Sequence, residues 1–287
     1  MADYLGLKDK DVVIEANAVR TLRVDDLMRA IRSKEEYNRV IYSREGRKRT
    51  IEIATTRSER VALILSQDQI DDPDSELPPV VRAAGLQVDI MASLPPKLSK
   101  YAAIVIASEK AAKPGVNDAI RSYLRTGGGV VLIDQIPIYL CGDVYDRDRE
   151  YQWRLEKISE WFGASRITVT GGYYVRESEL TIGQNKPIGT TFSNGQRLFS
   201  FTGKLDYFGI NELNMNDTAV PMAWWSNFTG NGGGGGFGGR DGRHCGIFYQ
   251  RYGEGRVYYQ FKATMPSYPR LQELFVAGVR WAANVGT

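Results

Sequence analysis

Histidine and cysteine are scarce in this chain of 287 residues, which holds one histidine, His244, and two cysteines, Cys141 and Cys245. Two cysteines cannot supply a disulfide framework. Together with a single histidine they cannot complete a four-ligand zinc site unless carboxylates take part. The sequence therefore predicts neither a metal centre nor any other cofactor.

Long apolar runs and a strong charge of either sign are also missing. No apolar run reaches the length of about 18 residues that a membrane-spanning helix needs. The N-terminus, MADYLGLKDKDVV, lacks the basic and apolar regions of a signal peptide. We therefore expect a cytoplasmic protein without a membrane span. The 37 basic and 34 acidic residues leave a net charge of +3, which argues against nucleic acid as the partner of the whole chain.

The strongest structural pattern lies between Tyr101 and Asp134. Apolar runs at Ala102–Ala107 and Gly129–Ile133 predict two strands that are buried on both faces. Apolar residues at helical spacing from Val116 to Leu124 predict a helix between these strands, and three glycines end it. A crossover of this kind makes the two strands parallel neighbours in one sheet.

Two more apolar runs, Val61–Ser66 and Leu86–Met91, extend this pattern on its N-terminal side. Together the four strands predict an α/β fold, a flavodoxin-like doubly wound, mainly parallel sheet with helices on both faces. From Ser165 onward the residues favour β-structure, and a helix at Tyr268–Ala283 closes the chain. We therefore divide the chain into an N-terminal extension, residues 1–58, and an α/β domain with β-rich C-terminal additions, residues 59–287.

Several connecting segments carry weaker predictions. Residues 67–74 read as a polar loop before a helix capped by Ser75, and the segment after Asp134 reads as another loop. The apolar spacing in Tyr151–Phe162 predicts an amphipathic helix. The Gly-rich loop at residues 230–242 has nothing to bury and no helix after it, which favours a mobile hairpin loop over a phosphate-binding loop.

The N-terminal extension contains a predicted helix that begins near Val24 and a predicted β-hairpin with a basic turn. Residues Arg39–Tyr42 and Thr50–Ala54 would pair across this turn. Its cations could hold an anion or an acidic partner, or they could simply be a solvated surface. They are Arg44, Arg47, Lys48 and Arg49.

Polar residues follow three strands whose carboxyl ends should lie side by side in a flavodoxin-like sheet. Asp68, Glu109 and Asp134 could share acid and base roles. With Lys110 they could instead bind a polyol, a sugar or a divalent metal, and the open alternative is that they cap helices or face water. The full set of predicted ligand-binding residues is Ser66, Gln67, Asp68, Ser108, Glu109, Lys110, Asp134 and Gln135.

Five segments in a consistent order resemble the class I glutamine amidotransferase-like superfamily. Within it, the sequence is most similar to the ThuA-like (trehalose-utilisation) branch and to related non-catalytic domains. The resemblance covers roughly residues 59–285 and implies the same α/β fold. The segments are Lys100–Ala107, Val116–Asp134, Leu155–Ala164, Asn185–Gly189, and Tyr252–Tyr259 followed by Leu274–Ala283.

The chain departs from this family at the positions that carry its chemistry. Asp134 stands where amidotransferases begin the turn with the nucleophilic cysteine and where ThuA-like members commonly have a histidine nearby. Asn185 and Ala263 stand where some members have a histidine. A carboxylate or an amide supplies neither a thiolate nor a base that titrates near neutrality, so glutaminase activity is not expected.

The other thiols do not restore this chemistry. Cys141 lies beyond the turn and has no histidine near it in the sequence. His244 and Cys245 are neighbours before an apolar strand, where adjacent side chains point to opposite faces. We therefore interpret all three as structural residues.

Three hypotheses for function follow. The first is a non-catalytic amidotransferase-like domain for binding or assembly, with a protein partner or a second copy of the chain, and with a small polar ligand as a further option. The alternative, implied by the ThuA-like resemblance, is a sugar-directed hydrolase or isomerase that uses Asp134, Glu109 and Asp68. The third is association with nucleic acid through residues Arg44–Arg49.

Overall fold

The computed structural model describes residues 11–16, 19–20, 37–54, 59–142, 152–170, 174–183, 188, 192–204, 207–226, 243–263 and 268–285. The predicted helix near Val24, the Gly-rich loop at residues 230–242 and Asn185 lie outside these residues. The predicted boundary between residues 58 and 59 also adjoins a segment outside them, so the division into two parts stays a prediction.

The described residues form two sheets. The N-terminal strands β1–β4 make an antiparallel four-stranded sheet in the order β2-β1-β3-β4, and the other twelve strands form one large sheet. The strands are β1 Val12–Ala16, β2 Val19–Arg20, β3 Tyr37–Arg44, β4 Arg47–Ala54, β5 Arg60–Ile64, β6 Gln87–Met91, β7 Ala103–Ile106, β8 Gly129–Ile133, β9 Gln152–Arg154, β10 Arg166–Thr170, β11 Tyr174–Ile182, β12 Arg197–Lys204, β13 Tyr207–Asn211, β14 Ala219–Ser226, β15 His244–Tyr252 and β16 Gly255–Gln260.

The helices are mostly short. None of those in the described part of the chain is long and apolar enough to cross a membrane. The α-helices are α1 Gln67–Asp71, α2 Leu77–Arg82, α3 Asn117–Arg125, α4 Ile136–Cys141, α5 Ser159–Phe162 and α6 Pro269–Ala282, and 3-10 turns occur at Leu98–Lys100, Pro114–Val116 and Glu212–Asn214.

One half of the large sheet is parallel. Its strands lie in the order β6-β5-β7-β8-β16, and all four neighbouring pairs are parallel. Numbered along the chain, this is the order 2-1-3-4-5 of a flavodoxin-like sheet. The predicted α/β fold class is therefore confirmed.

The other half of the sheet is antiparallel and continues from β16 through β15, β14 and β11 to β12. Strand β13 also pairs with β15, and β10 and β9 follow it outward. The β-rich C-terminal residues thus extend the flavodoxin-like sheet across one of its edges.

Helices cover both faces of the parallel half. Neighbouring residues of a strand point to opposite faces, and the adjacent residues Tyr258 and Tyr259 of β16 show which helix lies on which face. Tyr258 packs against Gly278 of α6, whereas the ring of Tyr259 lies 5.5 Å from that of Phe162 in α5. Both tyrosines are completely buried.

The segment Tyr151–Phe162 is not the helix that its apolar spacing predicts. Residues Gln152–Arg154 form β9, which pairs with Arg166–Thr168 of β10, and only the four residues of α5 are helical. The backbone of the first residues finds its hydrogen-bond partners in a neighbouring strand, and such pairing overrides a local helical pattern. Leu155, Ile158 and Phe162 are nevertheless buried, as the pattern predicts.

The segment predicted as a polar loop at residues 67–74 begins with helix α1. Ser66 caps this helix: the Gln69 N–H donates to Ser66 Oγ at 3.3 Å, and the Ser66 N–H donates to Gln69 Oε1 at 2.9 Å. This reciprocal pair is a capping box, with glutamine in the place of the usual glutamate. Helix α1 has only five residues, too few to show a periodic pattern of apolar residues, so the pattern does not predict it.

Two further details of the helices differ from the prediction. Ser75 does not cap α2, whose N-cap is Glu76 without a side-chain hydrogen bond. The predicted loop after Asp134 contains α4, in which Pro137 lies in the first turn, where proline costs no hydrogen bond. Gly85 lies just beyond the end of α2 and has a φ of +74°.

Gly278 provides a test of the packing between α6 and the sheet. A Cβ atom at this position would lie 2.3 Å from Cε1 of Tyr258, a buried ring whose hydroxyl is bonded to Gln260 Oε1 and to the Leu274 carbonyl. In an unhindered helix, alanine in place of glycine adds about 1 kcal/mol of stability. We expect Gly278→Ala instead to lower the free energy of unfolding by about 2 kcal/mol, because the core is overpacked.

Urea denaturation checks this prediction, with Ala277→Gly as the matched control on the same helix. The control should cost only about 1 kcal/mol, the difference in helix propensity. A Gly278→Ala protein as stable as the wild type would contradict the close packing described here.

Candidate functional site

A cavity of about 400 Å³ lies at the carboxyl ends of β5, β7 and β8. These strands are neighbours in the sheet, so the loops that follow them meet at one place. Of the eight predicted ligand-binding residues, the cavity brings together Ser66, Asp68, Ser108, Glu109, Lys110, Asp134 and Gln135.

The eighth predicted residue, Gln67, is not part of the cavity wall, and its side-chain amide donates to Asp71 Oδ1 at 3.0 Å within α1. The wall also contains Gln69, which is not among the predicted residues because the sequence pattern does not predict the short helix that carries it. The remaining wall residues, Ala107, Ile133 and Ile136, are apolar.

Asp134 has an unusual backbone conformation. Its φ of +56° lies in the left-handed region, which few residues other than glycine adopt. Strand β16 holds it there: the Asp134 N–H donates to the Gln260 carbonyl at 3.2 Å, and the buried Tyr259 hydroxyl donates to the Asp134 carbonyl at 3.1 Å. A sharp backbone turn thus follows the end of β8.

The carboxylate of Asp134 is partly withdrawn from water. Burial raises its pKa, while the Lys262 ammonium, with Nζ 3.6 Å from Asp134 Oδ2, opposes that rise. Lys262 was not predicted as a site residue. Lys262 follows β16, and the sequence pattern does not predict that β16 pairs with β8. The contact between Lys262 and Asp134 therefore could not be predicted.

The other two carboxylates at the cavity also have partners. The Gln135 side-chain amide donates to Glu109 Oε1, which links the loops after β7 and β8. Lys110 Nζ lies 3.7 Å from Asp68 Oδ2, with both side chains largely exposed, a type of pair that contributes little to stability.

Ser108 differs from the other polar residues of the cavity wall. It is 1% exposed, and its hydroxyl has no hydrogen-bond partner in the described part of the chain. Its carbonyl accepts hydrogen bonds from the N–H groups of Ala111 and Ala112, which fixes the turn after β7. A buried hydroxyl without a partner is costly and uncommon.

The described residues contain no group of three or more His, Cys, Asp and Glu side chains that could hold a metal ion. Asp68, Glu109 and Asp134 share the cavity, yet they do not form such a group. Divalent cations need several oxygen ligands at bonding distance. The proximity of the three carboxylates therefore does not amount to a metal site in this arrangement.

The cysteines and the histidine lie outside the cavity wall. Burial raises the pKa of Cys141 to about 11 and that of Cys245 to about 12, so both stay protonated thiols at neutral pH. His244 is buried on β15. Ala263, the residue after Lys262, is buried as well.

The basic hairpin forms as predicted and is longer than expected, with β3 and β4 joined at Glu45 and Gly46. Arg44, however, is held by Asp11, with Nε–Oδ1 and Nη2–Oδ2 distances of 2.8 and 2.5 Å. Only Arg47, Lys48 and Arg49 of the four predicted cations are exposed at the turn.

Comparison with solved structures supports a ThuA-like fold. A ThuA-like protein from Bacteroides uniformis matches with a TM-score of 0.50 and 15% identity, over 79% of this chain and 91% of that protein. A cytoplasmic protein from Salmonella typhimurium matches with a TM-score of 0.42 and 13% identity, over 85% and 92% of the two chains. At such identities the likeness concerns the fold alone.

A β-galactosidase from Bacillus circulans also matches, with a TM-score of 0.49 and 14% identity, over 80% of this chain and 32% of that enzyme. The chain thus spans about a third of the length of the β-galactosidases it matches. The sequence matches no protein-family model and no curated protein.

The raised pKa of Asp134 predicts a specific dependence of stability on pH. Its folded-state pKa lies above the ordinary value of 3.8, so the unfolded chain ionises first as the pH rises. The free energy of unfolding therefore falls as the pH rises from below 3.8 to above the folded-state pKa of Asp134. Asp134→Asn removes this loss, so the mutant should gain stability relative to the wild type as the pH rises from about 4 past the folded-state pKa of Asp134.

Urea denaturation across this pH range measures the difference. Ser66→Ala, which removes no titrating group, is the control, and its difference from the wild type should stay constant with pH. A difference for Asp134→Asn that is flat or that falls as the pH rises would contradict the burial of this carboxyl group.

Proposed function

We propose that the protein is a non-catalytic binding domain with a ThuA-like fold, which takes a small polar ligand in the cavity at the strand ends. The observation that carries this proposal is the convergence of three strand-end loops on one cavity of about 400 Å³. This size is typical of small-molecule sites, and the carboxyl ends of the strands are where open α/β sheets bind ligands.

The chemistry of the cavity favours binding over acyl transfer. The sharp turn after β8 carries Asp134, whose carboxylate is paired with Lys262. The two thiols are buried elsewhere with raised pKa values, and the single histidine lies on β15. An acyl-transfer site needs a nucleophile and a base within reach of each other, and the wall residues supply no thiol and no imidazole.

Assembly is part of this proposal. Arg47, Lys48 and Arg49 are exposed together at the tip of the N-terminal hairpin and would suit an acidic surface on a protein partner or on a second copy of the chain. The pairing of Arg44 with Asp11 reduces the charge that is available for nucleic acid.

Filling the cavity tests the binding proposal. Three probes of similar size, glucose, glucosamine and glucuronate, are titrated against the protein, and binding is followed by calorimetry and by the rise in melting temperature that a ligand of the folded state produces. At least one probe should bind the wild type. Ala107→Phe, which places a ring in the cavity wall, should abolish that binding.

The control is Leu213→Phe, a change at an exposed residue outside the cavity wall, which should bind as the wild type does. The proposal fails if none of the probes binds the wild type. It fails as well if the Ala107→Phe protein, folded by its circular dichroism, binds with unchanged affinity.

A sugar-directed hydrolase or isomerase is the second candidate function. It is favoured by Asp134 and Glu109 as two carboxyl groups in the same cavity, and burial raises the pKa of Asp134, which is the direction that a general acid needs. Asp68 is a third carboxyl group of the cavity wall, and its side chain is largely exposed.

Release of nitrophenol from nitrophenyl glycosides, and conversion of sugars followed by NMR, separate the two candidates. A binding domain shows no turnover above the uncatalysed rate. An enzyme that uses Asp134 as its acid should lose about 100-fold or more of its rate in Asp134→Asn. It should keep its rate in Asp118→Asn, the control at an exposed position on α3.

A further inference from the structure

We infer that the cavity at the strand ends selects a small organic cation with an ammonium group, and that the Glu109 carboxylate is the group that binds this cation. The inference rests on the proposed function, because it concerns the same cavity. It adds the charge of the ligand and the residue that recognises this charge.

The cavity wall carries an excess of negative charge. It contains three carboxylates, those of Asp68, Glu109 and Asp134, and a single ammonium group, that of Lys110. When Lys262 beyond the wall is added, three carboxylates still face two ammonium groups. The whole chain has a net charge of +3, so the negative excess belongs to the cavity and not to the protein as a whole.

The excess charge is located at Glu109. The other two carboxylates of the wall each pair with a lysine. The partner of Glu109 is the neutral side-chain amide of Gln135, and no lysine or arginine in the described part of the chain pairs with it. A cation from a ligand can therefore neutralise this carboxylate without breaking an existing ion pair.

The Glu109 carboxylate is accessible, and one of its oxygens is held in place. Its side chain is exposed, and the Gln135 amide donates to Oε1 across the gap between the loops after β7 and β8. The other oxygen, Oε2, accepts no hydrogen bond from the residues that the structure describes. A hydrogen bond from an ammonium group to this oxygen would be charge-assisted, which makes it about twice as strong as a bond between neutral groups.

The charge of Glu109 also acts on Asp134. Burial is the main cause of the raised pKa of Asp134, and the negative charge of Glu109 raises that pKa further. The two carboxylates therefore contribute to one field within the cavity. A cation bound at Glu109 is attracted by both groups, whereas a phosphate or carboxylate ligand is repelled by both.

The rest of the wall suits an organic cation better than a metal ion. A divalent metal needs several oxygen ligands at bonding distance, and the described residues contain no such group. An ammonium group needs only hydrogen-bond acceptors. The apolar side chains of Ala107, Ile133 and Ile136 offer a surface for the carbon atoms of a ligand in a cavity of about 400 Å³.

The three sugar probes test the inference because they share a ring and differ in charge. At about pH 6 glucosamine is a cation, glucose is neutral and glucuronate is an anion. We expect glucosamine to bind at least about fivefold more tightly than glucose, and glucuronate to bind more weakly than either, when calorimetry measures the three affinities.

Glu109→Gln removes the charge while its amide oxygen can still accept the hydrogen bond from Gln135. In this variant the affinities for glucosamine and glucose should differ by no more than about twofold. Lys110→Met changes the charge in the opposite direction and should raise the preference for glucosamine by about twofold. Asp118→Asn, which removes an exposed carboxylate on α3 outside the cavity, is the matched control and should keep the wild-type preference.

The outcomes distinguish the inference from the proposed function. If glucose or glucuronate binds as tightly as glucosamine, and Ala107→Phe abolishes that binding, the cationic ligand is wrong and the cavity stands. If Glu109→Gln keeps the full preference for glucosamine, or if Lys110→Met lowers that preference, the role given to the charge at Glu109 is wrong. If none of the probes binds the wild type, the inference fails together with the proposed function.

Discussion

The parallel pairing of β16 with β8 is the interaction on which the rest of this structure depends. Five residue pairs, from Arg256 opposite Gly129 to Gln260 opposite Ile133, join the two strands. From β8 outward through β7, β5 and β6 the neighbouring strands are parallel. From β16 outward through β15, β14, β11 and β12 they are antiparallel. Without the pairing of β16 with β8, the flavodoxin-like half and the C-terminal half would have no common sheet.

The same pairing builds the cavity. The end of β16 supplies the carbonyl of Gln260 and the hydroxyl of Tyr259 that fix the backbone of Asp134, and the next residues include Lys262, which neutralises its carboxylate. The other end of this strand pair, at Gly129, is also closely packed. A Cβ atom on Gly129 would lie 2.2 Å from the Ala282 carbonyl oxygen at the end of α6, so only glycine fits there.

The parallel half of the fold could be predicted from the sequence because its signals are local. Short apolar runs such as Gly129–Ile133, with a helix between them, define parallel neighbours and, from these, the loops at the strand ends. The positions of Ser108, Glu109 and Asp134 in one cavity followed from that order. Lys262 and Tyr259 could not be placed in the same way, because they reach the site through a strand pairing with residues far away in the chain.

The errors have a common physical cause. In Tyr151–Phe162 the apolar spacing predicts a helix, whereas the backbone of Gln152–Arg154 pairs with β10, a strand that lies later in the sequence. At residues 67–74 a helix of one turn was missed, because its signal is the capping pair of Ser66 and Gln69 and not a periodic pattern. In both cases hydrogen bonds of the backbone decided the structure, and the distribution of apolar residues did not reveal them.

The left-handed turn at Asp134 has a consequence for protein engineering. The bonds that hold it come from its own main chain, through Gln260 and Tyr259, and its side chain takes no part in them. The side chain of residue 134 can therefore be replaced while the backbone of the turn keeps its conformation. Asparagine and glycine are the easiest replacements, because they tolerate a positive φ. A scaffold of this kind allows new reactive groups to be installed at residue 134, at the mouth of an existing cavity, without redesign of the sheet.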